Sequence, residues 1–328
     1  MVEAVRKLDF GERVDLDVGS LVAVPIVCLP ISKPLVFSVY VKLVDGFTDQ
    51  FVQLRSPGDQ LTKERLDQFS GRLDTAYIPK GSWGVMVDEL RKAELSGRSQ
   101  SAEGQSIAVR NCVWGLLKDI EEKREIFPSC YKELSELSDR FAAGVMRLPF
   151  LRKSLIVRFQ DPALYLSNHS INIALMATGV AQHQGLSLAD SKVLFLACLL
   201  HNIGFVSIPT EVIGKTGSLS KDEWQYVRTH PYRGTRILEK MKAPREVVLV
   251  ALQHHERNDG SGYPSGESAN DIHLFAKICA VGDVYDAILS KRFHQDSFQM
   301  AEALSKLKAM DGKLDGTIID ILLGQEKD

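Results

Sequence analysis

Residues 201–205 read HNIGF and close an apolar run that starts at Lys192. With aspartate in second place, such a pair would be two adjacent metal ligands. Here the second residue is Asn202, so one donor of the pair is neutral. Seven candidate donors follow one another along the chain: His169, His201, Asn202, His230, His254, His255 and Asp283. Iron, manganese and zinc take imidazole and carboxylate ligands. Helical bundles hold such ions with inward side chains from facing helices. One histidine at a helix end is ordinarily a satisfied core or surface residue. The distribution argues for more: all eight histidines fall after residue 168, an arrangement with a chance of roughly one in 250 at even odds per half.

His254 and His255 precede Glu256 and a glycine-rich stretch, Gly260-Ser261-Gly262, closed by Tyr263-Pro264. Neighbouring helical residues point about 100° apart. Both imidazoles can therefore reach one cluster only over a helix end, and the helical pattern ends there. Glycine lets a backbone approach a ligand closely, and proline stiffens the turn.

The elements that must position these residues divide the chain in two. To about Lys92, LVAVPIVCLP and LVFSVYVKLVDG read as strands, broken by prolines and the Asp45-Gly46 turn signal. A turn and helix follow, with Thr62 as candidate N-cap, and AYIPKGSWG predicts a further strand. Residues 1–92 are read as a small mixed α/β domain, and 93–106, small and polar, as a linker. Residues 107–328 carry apolar residues at three- and four-residue intervals and predict an all-α domain. Ser220-Lys221-Asp222-Glu223 is a capping-box pattern before His230.

The bulk numbers narrow the function classes. Length 328 suits two domains or one large one, and 45% apolar with 25% charged residues is an ordinary globular balance. Net charge −2 gives no whole-chain signal for long nucleic acid. The N-terminus lacks the apolar core of a signal peptide, and no apolar run reads as a membrane span. Five scattered cysteines without a C-x-x-C pattern fit a reducing compartment. The expectation is a cytoplasmic protein with no membrane partner.

The sequence resembles the HD-GYP subgroup of the HD-superfamily metal-dependent phosphohydrolases. The segments that carry the resemblance are NHSINIALMATGVAQHQGLS, LLHNIGFVSIP, VIGKTGSLSKDEWQYVRTHPYRGTRIL, HHERNDGSGYPSG and AVGDVYDAILSKR, in family order. The implied fold is α+β overall, a small N-terminal domain followed by an all-α HD-type helical bundle. The implied activity is bacterial hydrolysis of cyclic-di-GMP to pGpG or GMP with two divalent metal ions, iron first, manganese or zinc as alternatives. On this resemblance His169, His201 and Asp283 hold one ion, and His230, His254 and His255 the second. Asn202 takes the place of an aspartate that bridges both. Gly262, Tyr263, Pro264, Lys215 and Arg292 fall in substrate-binding regions, and Asn202 and Arg292 in the catalytic step.

Departures from the family pattern set the alternatives. Two divalent ions about 4 Å apart repel by roughly 16 kcal/mol at an effective dielectric of 20. A bridging carboxylate offsets part of this, and the amide of Asn202 offsets far less. Phe205 stands where the family has lysine. Tyr165, four residues before His169, stands where three-metal members carry glutamate. Arg292-Phe293-His294-Gln295 keeps one phosphate-binding cation and loses another. The two readings are a weakly active phosphodiesterase and a module that binds cyclic-di-GMP or a protein partner without hydrolysis. A homodimer or signalling-protein partner is open in either case, as is a regulatory or dimerising role for the first domain.

Overall fold

The computed structural model describes residues 13–30, 33–45, 48–62, 64, 74–95, 102–146, 164–213, 215, 217–290 and 304–325. The chain divides into two compact units, residues 1–100 with 159–166, and residues 101–158 with 167–328.

The first unit holds five strands: β1 (Arg13–Val14), β2 (Leu21–Pro25), β3 (Val39–Asp45), β4 (Thr48–Arg55) and β5 (Thr75–Pro79). They form one antiparallel sheet in the order β1-β4-β3-β5-β2. β3 and β4 pair down to Asp45 opposite Thr48; Gly46, the second residue of the expected turn, lies outside the described residues. Val24, Val39, Val41, Ala76 and Ile78 are fully buried, as β-branched and small residues on a covered sheet face should be. Phe51 and Tyr77 meet edge to face at 5.1 Å. Helix α1 (Trp83–Leu95) follows β5 and buries Trp83, Met86, Val87 and Leu90, a three- and four-residue apolar stripe. The sequence reading missed this helix because the neighbouring strand pattern dominated it. The helix after Thr62 lies outside the described residues, apart from Glu64.

The second unit is helical, as predicted: α2 (Ala102–Lys123), α3 (Pro128–Val145), α4 (Tyr165–His183), α5 (Leu188–Leu200), α6 (Thr210–Ile213), α7 (Lys221–Val227), α8 (His230–Lys240), α9 (Arg245–Gln253), α10 (Leu274–Ser290) and α11 (Gly316–Gln325). The expected linker at 93–106 is thus partly helical at both ends, with α1 running to Leu95 and α2 starting at Ala102. Pro128 opens α3 where its missing N–H costs nothing. The Ser220–Glu223 capping box forms as read and starts α7. The core joins α3 to α5 through Phe141 and Phe195, 5.2 Å apart, and α2 contributes fully buried Trp114 and Leu116. α4 is buried on every side from Ser167 to Ala181, which makes it the central helix of the unit.

One sequence expectation needs correction. Leu188–Ser207 is long and apolar enough, by length and composition alone, to cross a membrane. Most of this stretch is buried inside the structure, and its end carries His201 and Asn202 into the interior.

Candidate metal centre

The site begins on α4 and α10. His169 and Asn172 are three residues apart on α4, and Asp283 and Asp286 three apart on α10, so each pair shares a helix face. His169 donates from Nδ1 to Asp286 Oδ2 at 2.8 Å and from Nε2 to Asp283 Oδ1 at 3.0 Å. Asn172 Nδ2 donates to Asp286 Oδ1 at 3.1 Å. Burial opposes a charge on His169, but the two carboxylates outweigh it and hold its pKa up at about 9. Burial would push Asp283 up, yet the His169 hydrogen bond and the surrounding imidazoles hold it well below the usual carboxylate range.

The other four imidazoles are kept neutral. Burial depresses His201 and His230 to about 4, His255 to about 3, and His254 well below its usual value. Three of them have Nδ1 on a backbone carbonyl: His201 on Cys198 at 2.7 Å, His230 on Val227 at 2.9 Å, and His254 on Val250 and Ala251, both at 3.1 Å. A neutral imidazole donating from Nδ1 carries only a lone pair on Nε2. His230 Nε2 and His254 Nε2 nevertheless face each other at 3.2 Å. His201 Nε2 and Asn202 Oδ1 are buried with no hydrogen-bond partner among the described residues. Converging lone pairs without a proton between them suit a shared cation, and backbone acceptors behind each ring are the usual support of metal-ligating histidine. The donor set therefore fits divalent metal.

Two glycines bring the segments together. A Cβ on Gly204 would collide with the backbone of His230, so only glycine lets the turn after Asn202 cross the start of α8. A Cβ on Gly262 would collide with the backbone of Glu256, so that glycine lets the loop fold back on the His254-His255 pair. Glu256 is buried, and its carboxylate accepts from the backbone N–H groups of Ser265 at 2.7 Å, Gly266 at 3.2 Å and Glu267 at 3.0 Å. Tyr263 then stacks on His255 with ring centroids 4.6 Å apart. Its peptide bond to Pro264 is cis.

α2 braces the site from behind. Arg110, a buried guanidinium, donates to Asn168 Oδ1 at 2.9 Å, and Ser167 bonds to the Glu121 carboxylate. Arg124 donates to the Ile208 carbonyl, beyond the HNIGF turn.

The seven sequence candidates gather as follows. Ligand atoms of His169, His201 and Asp283 lie within 4.8 Å of one another, and so do those of His230, His254 and His255. The rings of His201 and His254, 4.9 Å apart, connect the two trios. His255 and Asp283 are partly exposed and mark the open side; the other four are buried. Tyr263 lies against the second trio through His255, and Gly262 packs on the backbone of Glu256 and Arg257. Lys215 is held by Glu223 at 2.6 and 2.9 Å, the same carboxylate that completes the capping box. Arg292 lies outside the described residues, as do Phe293, His294 and Gln295. Phe205, noticed only as a departure, lies flat on His230 at 4.3 Å. Sequence reasoning missed the supporting roles of Asp286, Asn172 and Glu256. The three-residue spacings to His169 and Asp283 signal the first two.

A family model described as "HD domain" matches residues 154–318. The cyclic di-GMP phosphodiesterase PA4108 of Pseudomonas aeruginosa is 38% identical over 184 residues, 55% of this chain and 44% of that protein. The cyclic di-GMP phosphodiesterase response regulator RpfG of Xanthomonas campestris is 40% identical over 147 residues, 44% of this chain and 39% of that protein. The 3'3'-cGAMP-specific phosphodiesterase 2 of Vibrio cholerae is 32% identical over 158 residues, 47% of this chain and 30% of that protein. The chain therefore spans less than half the length of each of these relatives. Bd1817, described as an HDG"Y"P protein from Bdellovibrio bacteriovorus, shares the fold with a TM-score of 0.68 at 20% identity, over 94% of this chain and 100% of that one. With the family match over half the chain and the Gly262-Tyr263-Pro264 turn folded against the paired histidines, the chain belongs to the HD domain family and to its HD-GYP branch.

Proposed function

We propose that the protein is a metal-dependent phosphodiesterase that hydrolyses cyclic-di-GMP to pGpG or GMP, with weak turnover. The observation that carries this reading is the pair of adjacent trios, each with its ligand atoms within 4.8 Å of one another. His169, His201 and Asp283 would hold one divalent ion, iron first, and His230, His254 and His255 a second. Asn202, with its buried unpaired Oδ1, is the remaining donor. Such ions supply Lewis acidity toward a phosphoryl oxygen and a water of lowered pKa.

The chain's own residues do the rest. Asp286 fixes the His169 ring from behind, so its Nε2 faces Asp283. Backbone carbonyls do the same for His201, His230 and His254. Tyr263 and Phe205 cover the faces of His255 and His230 and limit water on that side. Arg292 is assigned to the phosphoryl oxygens and Lys215 to a substrate phosphate, each on the family resemblance. For Lys215 this requires release from Glu223. The relatives named above, all described as cyclic-dinucleotide phosphodiesterases, support the substrate class.

A second reading, binding of cyclic-di-GMP without hydrolysis, rests on Asn202 and Phe205. In both readings residues 1–92 are proposed as a regulatory or dimerising domain. The test is metal content of protein purified without added metal or chelator, followed by product analysis with cyclic-di-GMP. About two ions per chain and release of pGpG or GMP support the enzyme. Tight binding without product supports the second reading. Absence of metal, binding and turnover defeats both.

A further inference from the structure

The family's lysine at position 205 is here Phe205, so a cation is missing beside the second trio. A different cation stands near the same trio. Arg228 lies just past the end of α7, two residues before His230. Its guanidinium carbon sits 4.5 Å from the centre of the Tyr263 ring. Tyr263 in turn stacks on His255 at 4.6 Å, with the rings inclined by 27°. A column Arg228–Tyr263–His255 therefore rises from the partly exposed side of the centre. The close passage of Gly262 against Glu256 fixes the column's middle member.

Arg228 is exposed, and no carboxylate pairs with it among the described residues. Arg233 and Arg236 also lie over rings, Tyr226 at 4.7 Å and Tyr232 at 5.9 Å. Among the described residues neither of those rings stacks on an imidazole of the cluster. Arg257 is also beside the second trio, but its Nη1 donates to the carbonyls of His254 and Glu256, which leaves Arg228 as the cation stacked on Tyr263. A guanidinium lying on an aromatic face keeps its in-plane N–H donors free, and those donors match the oxygens of a phosphate bidentately. The tyrosine face restricts its rotamers beforehand, which lowers the entropy lost on binding.

We propose that Arg228 binds the substrate at the phosphate that is not cut. Its guanidinium contacts the Tyr263 ring and none of the cluster imidazoles, which places it beside the trio and suits it to the second phosphate of a cyclic dinucleotide. This rests on the cyclic-dinucleotide reading above and adds a specificity residue to it. Arg228 selects ligands with a second phosphate over single phosphodiesters.

The test uses the metal-loaded full chain and Arg228→Gln, Arg228→Lys and Tyr263→Leu. Cyclic-di-GMP is followed by calorimetric Kd where turnover is absent and by KM and kcat where it is present. Bis(p-nitrophenyl) phosphate, with one phosphate, is the control. Arg228→Gln should raise Kd or KM for cyclic-di-GMP about tenfold, with kcat and the control changed less than about twofold. Arg228→Lys should recover part of the affinity. Tyr263→Leu, which removes the ring face under the guanidinium, should lose it as Arg228→Gln does. Unchanged cyclic-di-GMP affinity in Arg228→Gln, or an equal loss on the control, overturns the role of Arg228 and leaves the proposed function standing. If the wild-type chain neither binds nor hydrolyses cyclic-di-GMP, the proposed function fails and the arginine's role with it.

Discussion

The two trios are built on opposite electrostatic plans. The first pairs His169 and His201 with Asp283 and has a second carboxylate, Asp286, behind His169. The second is three imidazoles, with carbonyls behind His230 and His254 and aromatic rings flat on His230 and His255. The first trio therefore brings negative charge to a cation, whereas the second brings only lone pairs. With Asn202 in place of a bridging carboxylate, the anion that reaches toward the second trio is Asp283, whose Oδ2 lies 3.7 Å from His255 Nδ1. The first trio should load earlier and release later than the second.

The largest effect expected is from Asp283→Ala, which removes the anionic ligand of the first trio. Metal content should fall by about one ion per chain, or to none if the second trio cannot fill alone. Elemental analysis after gel filtration checks this. His254→Ala should remove only the second ion, and an equal loss from both variants would break the comparison.

Next comes Asp286→Asn. Loss of the carboxylate behind a metal-ligating histidine typically costs about 10–100-fold in affinity. Titration with cobalt(II), read by its visible spectrum, should show the first site weakened and the second unmoved. Asn202→Asp should act in the other direction, tightening the second, weaker ion about tenfold by placing an anion at the junction. No change on Asn202→Asp would mean that position 202 does not face both ions.

Protons can sharpen the contrast in metal-free protein. His201, His230 and His255 are depressed by burial to about 4, about 4 and about 3, so the unfolded chain takes up their protons first. Stability should be intact above about pH 6.5 and lost as the pH falls toward 4, by about 3 kcal/mol for one histidine moved that far. His169 runs the opposite way. Raised to about 9 by its two carboxylates, it contributes fully below 6.5, and that part is lost as the pH rises through about 9. Thermal melts after chelation should therefore peak near pH 6.5, and His169→Gln should remove the alkaline limb alone. A profile flat from pH 5 to 9 would contradict both assignments.

The smallest effect expected is from Glu256→Gln. It replaces an anion that accepts three backbone N–H bonds with a neutral amide, at a cost of about 1–3 kcal/mol. The loop holding Tyr263 should loosen, seen as faster hydrogen exchange at residues 260–267. Cobalt binding by the first trio should be unaffected.

Much of this was readable before any coordinates. Strand alternation up to the Asp45-Gly46 turn and helical spacing after residue 107 followed from side-chain periodicity, which local backbone geometry imposes. The helix Trp83–Leu95 was hidden because its apolar stripe follows directly on a strand of similar composition. The linker was drawn too long because small polar residues also occur within a helix such as α2, which starts at Ala102. Leu188–Ser207 shows that composition does not distinguish a membrane from a protein interior, since both present apolar surroundings.

At the site, the sequence by itself determined the inventory: five histidines and Asp283 as donors, a neutral amide at 202, glycines at 204 and 262, and a phenylalanine where a lysine belongs. Residue chemistry is local and can be read from residue types. Tertiary structure alone decided which lone pairs converge, that His169 lies between two carboxylates, that Phe205 and Tyr263 lie on opposite members of one trio, and that Arg228 stands on Tyr263. Those facts depend on contacts between segments up to 117 residues apart, set by how buried helices pack and by where a missing Cβ lets two backbones pass.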